Sequence, residues 1–69
     1  MITLEQIRVR LVEAIRQSGH TQTEIANALN VTQSTIAHYI KGDIMPALDT
    51  FANLCKILDI DTSYILCQD

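Results

Sequence analysis

Apolar residues recur along this chain at helical spacing, in five successive stretches. Leu4, Ile7, Leu11 and Ile15 form the first stripe, broadened by Val12, while Arg8, Glu13 and Arg16 lie off it. Thr3 and Gln6 open that helix as a capping box, and Ser18-Gly19 stops it. Thr21 and Glu24 make a second capping box ahead of a short helix with Ile25, Ala28 and Leu29 on one face. Ala26 is small enough to admit a close helix crossing, and Asn30 suits a left-handed stop. Val31 then plugs the turn, and Thr32 caps a third helix from about Gln33 to Lys41, ended by Gly42. In it Ile36, Tyr39 and Ile40 share one stripe; Gln33, Ser34, Ala37, His38 and Lys41 share the opposite one.

After Gly42, Asp43 to Met45 connect to Pro46, which suits a first helical turn. Leu48, Phe51, Leu54, Cys55 and Leu58 form the buried stripe of the fourth helix, with Asp59 as its left-handed end. Asp61 can cap a fifth helix, Thr62 to about Leu66, with Ile65 and Leu66 turned inward. The pattern predicts an all-α fold of five short helices and a single domain over residues 1–69.

Composition narrows this further. A chain of 69 residues buries only about 60% of its unfolded surface, so its stability margin is thin. With 48% hydrophobic residues, one Phe and no Trp, the composition suggests a core mainly of Ile, Leu, Val and Ala. No apolar run approaches the ~18 residues a membrane span needs. Glu5, Arg8 and Arg10 interrupt the N-terminal apolar residues, unlike a signal peptide, so a cytoplasmic location without membrane partner is expected. Cys55 reads as a core residue and Cys67 as a free thiol; neither has a partner at ligand spacing, which argues against zinc. No nucleophile–base pair, paired carboxylates or phosphate-cradling glycine loop is present. The expectation is no enzyme, no cofactor and no metal.

The stretch Thr21–Gly42 resembles the helix-turn-helix of the phage repressor/Cro family of small bacterial regulators. Gln22, Ala26 and Val31 match in the first helix and turn, and Ile36, Tyr39 and Gly42 match in the second helix and its end. Pro46, Leu48, Phe51, Leu54 and Leu58 resemble the family's fourth-helix run, so the likeness extends over essentially the whole chain. Asn30 stands where the family most often has Gly. Ala47 stands where a Ser or Thr cap is common, which leaves the start of the fourth helix unanchored.

The resemblance implies a lambda-repressor-like domain binding double-stranded DNA, with the motif at about 21–42 and helix 33–41 in the major groove. Carried over by position, Gln33, Ser34 and His38 are the base-contacting residues, with Thr32 offering a methyl to thymine. Gln33 suits adenine, and His38 can donate to guanine N7 or O6. Thr21 and Gln22 at a helix N-terminus, Lys41, and more weakly Arg16 are the expected phosphate contacts. A single module of this size reads only a few base pairs, and specific sites generally need two half-sites. A homodimer on a pseudo-palindrome follows, with Ile60, Tyr64 and Leu66 as its interface.

The net charge of −3 is at odds with a DNA-binding footprint. Its distribution resolves part of the conflict. Up to Lys41 four cations face three acids, whereas from Gly42 onward one cation faces five. Acidity is thus concentrated away from the expected DNA face. The expected function is a sequence-specific transcriptional regulator, a small repressor. The alternative is a protein-interaction module on the same fold, such as an antitoxin or adaptor with a protein partner, which the acidic balance favours slightly.

Overall fold

Short polar side chains start four of the five helices in the computed structural model, which describes every residue from Met1 to Asp69. Thr3 caps α1 (Leu4–Gln17), Thr21 caps α2 (Gln22–Leu29), Thr32 caps α3 (Gln33–Lys41) and Asp61 caps α5 (Thr62–Ile65). Both capping boxes read in the sequence are formed, each with reciprocal bonds between the cap and the third helical residue. α4 (Leu48–Leu58) begins without a side-chain cap at Ala47. Ala47 is still extended, with ψ at 159°, so the helix starts one residue later and Pro46 lies in the connection, not in the first turn.

Three helices have a left-handed cap residue at their end: Asn30 (φ 58°), Gly42 (φ 92°) and Asp59 (φ 56°). In each, the next amide reaches five residues back. Val31 N–H donates to the Ala26 carbonyl at 3.0 Å, Asp43 to His38 at 3.2 Å, and Ile60 to Cys55 at 2.9 Å. These bonds satisfy carbonyls that a helix end leaves free, and they turn the chain sharply. Only Asn30, Val31 and Thr32 separate α2 from α3, so the turn sets the second helix directly against the first.

All twelve buried residues are hydrophobic, and no buried polar side-chain atom lacks a partner. Leu11, Ile15, Ile25, Ala26, Ile36, Tyr39, Phe51, Leu54, Cys55, Leu58 and Ile65 form one cluster to which every helix contributes. α2 packs on α3 and α4, while α1 packs on α3 and α5. No helix is long and apolar enough to cross a membrane.

Three positions of the apolar stripes fall outside this core. Leu4 and Leu48 are 69% and 81% exposed, because each is the first residue of its helix and projects past the cluster. Ala28 is exposed while Ala26 is buried. Ile25, Ala26 and Leu29 span one arc of α2, and Ala28 lies about 110° from its centre at roughly 100° per residue. α5 closes one residue sooner than the sequence suggests, with Leu66 as its half-buried cap.

Candidate nucleic-acid interface

α3 is rooted by one face and open on the other. Ile36 and Tyr39 are buried on the core side, with Ile40 half-buried beside them. Gln33, Ser34, Ala37, His38 and Lys41 are exposed on the opposite side. The side chains of Gln33 and Ser34 form no hydrogen bond within the protein, so their donors and acceptors are available to another molecule. Thr32 is committed differently. Its hydroxyl accepts from Thr35 N–H at 3.2 Å and shares a hydrogen bond with the Thr35 hydroxyl at 2.9 Å, leaving its methyl as the uncommitted part.

The N-terminus of α2 supplies amides instead of charge. Thr21 Oγ1 accepts from Glu24 N–H at 3.1 Å, and Thr21 N–H donates to Glu24 Oε1 at 2.7 Å. The first amides of α2 have no intrahelical acceptor. Gln22 is half-buried at this end. The backbone bond from Thr21 holds the Glu24 carboxyl below its ordinary value, so a negative charge sits on the same helix end. That charge stabilises the helix, but it opposes an anion approaching there.

Asp43 overturns part of the charge partition inferred above. Its Oδ2 lies 3.1 Å from His38 Nδ1 and 3.8 Å from Lys41 Nζ. The first acid after α3 is therefore not remote from the polar face; it is engaged with two of its residues. The backbone explains why. The left-handed turn at Gly42 returns residue 43 to the level of residue 38, whose carbonyl accepts a hydrogen bond from Asp43 N–H. The αL stop in the sequence was the available signal.

Arg8 is a neighbour of α3 that the sequence pattern does not reveal. A Cβ at position 42 would stand 3.0 Å from Arg8 Cδ, so this side chain lies against the end of α3. Arg8 Nε donates to Glu5 Oε2 at 2.9 Å, and this hydrogen bond to Glu5 raises the Arg8 pKa. Arg16 is exposed, forms no ion pair, and lines the same open cleft as Arg8 and Ile40. Three of the five cations, Arg8, Arg10 and Lys41, face an acid of the chain itself.

The three residues expected at a dimer interface line two different grooves. Ile60 and Tyr64 line a groove with Arg10 and Ala14. Leu66 lines a separate, mostly apolar groove with Leu4, Ile7, Met45 and Leu48. Tyr64 is already covered in part, because the Arg10 guanidinium stands 4.5 Å from its ring centroid.

Residues 11–65 match the model of the family described as helix-turn-helix. The chain is 33% identical over 60 residues to the HTH-type transcriptional regulator ImmR of Bacillus subtilis (strain 168). That alignment covers 87% of this chain and 47% of the relative, so the chain spans about half the length of the curated protein it matches. No solved structure matches the chain.

Proposed function

The chain belongs to the helix-turn-helix family of phage repressor/Cro (XRE) type, and on that premise we propose that it is a regulator binding specific double-stranded DNA sequences. One observation carries the reading: α3 is anchored through Ile36 and Tyr39 while Gln33 and Ser34 stand exposed with no partner in the protein. A rigid helix with free short polar groups fits the major groove, where base edges present distinct donor and acceptor patterns.

In this reading residues 1–69 are the DNA-binding domain. Gln33, Ser34 and His38 contact bases, and Thr32 places its methyl against thymine. Thr21, Gln22, Lys41 and Arg16 meet phosphates. The protein acts as a cytoplasmic, non-enzymatic repressor, as a homodimer on a pseudo-palindrome with half-sites about one helical turn apart. Ile60, Tyr64 and Leu66 take part in the dimer. The groove at Leu66 has the apolar area to spare, since Leu4 and Leu48 beside it are exposed.

A second reading, an interaction module such as an antitoxin or adaptor, is favoured by the pairing of Arg8, Arg10 and Lys41 with acids. Each such pair weakens the positive field that draws a protein to DNA. Selection of duplexes from a random pool at low salt separates the two. An enriched palindrome that Gln33→Ala abolishes is the regulator's result. A folded protein that enriches nothing leaves the interaction module.

A further inference from the structure

His38 is exposed on the polar face of α3, and only one of its two ring nitrogens is engaged within the protein. Nδ1 lies 3.1 Å from Asp43 Oδ2. The backbone holds the pair in register, because Asp43 N–H donates to the His38 carbonyl across the Gly42 turn. The charged groups facing the ring are Asp43 and, through the same carboxylate at 3.8 Å, Lys41. No group of α1, α2, α4 or α5 forms an ion pair with it.

A carboxylate only accepts, so the hydrogen in this contact is on Nδ1. A neutral imidazole carries a single N–H, and Nε2 is then a bare acceptor. We propose that Asp43 is a positioning residue for DNA specificity: by holding His38 as the Nδ1–H tautomer, it makes Nε2 an acceptor that selects a base-edge amino group. In the major groove those groups are adenine N6 and cytosine N4, whereas guanine presents only the acceptors N7 and O6. In this tautomer His38 reads adenine or cytosine and rejects guanine. Donation to guanine, the simple expectation, needs a hydrogen on Nε2, which the contact with Asp43 disfavours. The inference rests on the DNA-reading role of α3 proposed above, and it adds Asp43 and the tautomer it holds.

The test has two arms. In the free protein, histidine ¹⁵N shifts at about pH 8 report the tautomer directly. Wild type should show a protonated Nδ1 and a bare Nε2, and Asp43→Ala should move toward the Nε2–H form that water favours. Duplex selection is then run at the same pH. Wild type should prefer adenine or cytosine over guanine by about tenfold at one position per half-site. Asp43→Ala should keep the rest of the site but lose the exclusion of guanine. His38→Ala should show no preference at that position. Asp43 is exposed and outside the helices, so the variant should keep the wild-type circular dichroism; Asp43→Asn, which can accept or donate, should be intermediate. An Nε2–H tautomer in wild type, or a base preference unmoved by Asp43→Ala, overturns the inference while the operator stands. A protonated Nδ1 with no duplex enriched overturns the DNA-reading role, and the specificity claim with it.

Discussion

Arg10 joins the first helix to the end of the chain through Tyr64. Its guanidinium carbon lies 4.5 Å from the Tyr64 ring centroid, and its Nη1 donates to the Tyr64 carbonyl at 2.6 Å. The same nitrogen meets the Asp69 carboxylate at 3.0 Å, and this hydrogen bond holds the Asp69 carboxyl below its ordinary value. One cation thus collects a ring face, a carbonyl and a carboxylate, and it ties down a helix of only four residues that is too short to be stable alone.

Arg10→Ala should release the last turn without touching the helix-turn-helix. Amide exchange should accelerate from Ile65 to Asp69, the melting midpoint should fall, and exchange in α2 and α3 should stay as in wild type. Acceleration spread evenly over all five helices would mean that Arg10 supports the whole core instead of its edge.

The capping box at Thr21 makes a pH-dependent contribution. The Glu24 carboxyl is held below 4.5 by its bond to Thr21 N–H, so the ionised form is favoured in the folded state. A lowered folded value stabilises the protein above the unfolded value, and that contribution is lost as pH falls through the folded one. Glu24→Ala should therefore melt earlier at neutral pH. The difference from wild type should shrink as pH drops below about 4.5, read from thermal melts across that window. A difference that persists unchanged at low pH would assign the loss to packing.

Gly42 carries a left-handed backbone, with φ at 92°, and its missing side chain is where Arg8 lies. Gly42→Ala should cost about 1 kcal/mol in strain at that φ, visible as a lower urea midpoint with an unchanged slope. The displaced Arg8 must also give way against its pairing with Glu5. Gly19, also left-handed but with open space around it, should cost only the strain.

The two cysteines should react in sequence. Cys67 is half-buried near the chain end, whereas Cys55 is 2% exposed and burial pushes its thiol up. A thiol reagent at mildly alkaline pH should label one cysteine quickly and the second only on unfolding, because the thiolate is the nucleophile. Fast labelling of both under native conditions would contradict the core position of Cys55.

Much of this architecture is legible from local chemistry. Thr3–Gln6, Thr21–Glu24, Asn30 and Gly42 each act through bonds within a few residues, so their roles can be read from short spacing alone. Leu4 and Leu48 mislead because periodicity identifies a face of a helix but not where along its axis the core ends. The site divides the same way. The openness of Gln33 and Ser34 follows from the stripe that Ile36 and Tyr39 occupy. Arg8 against Gly42 depends on how α1 crosses α3, and Arg10 over Tyr64 joins residues 54 positions apart; neither has a local signature. Asp43 beside His38 lies between these cases: it follows from the geometry of a left-handed stop, and a bare count of charges hides it.

The central claim, that α3 and the start of α2 form the DNA face, is tested most directly by titrating the ¹⁵N-labelled protein with its selected duplex. Shift changes should concentrate at Thr21–Thr23 and Thr32–His38, with Gln33 and Ser34 side-chain or amide signals among the largest. Changes centred on α4 and α5, with α3 unmoved, would contradict it.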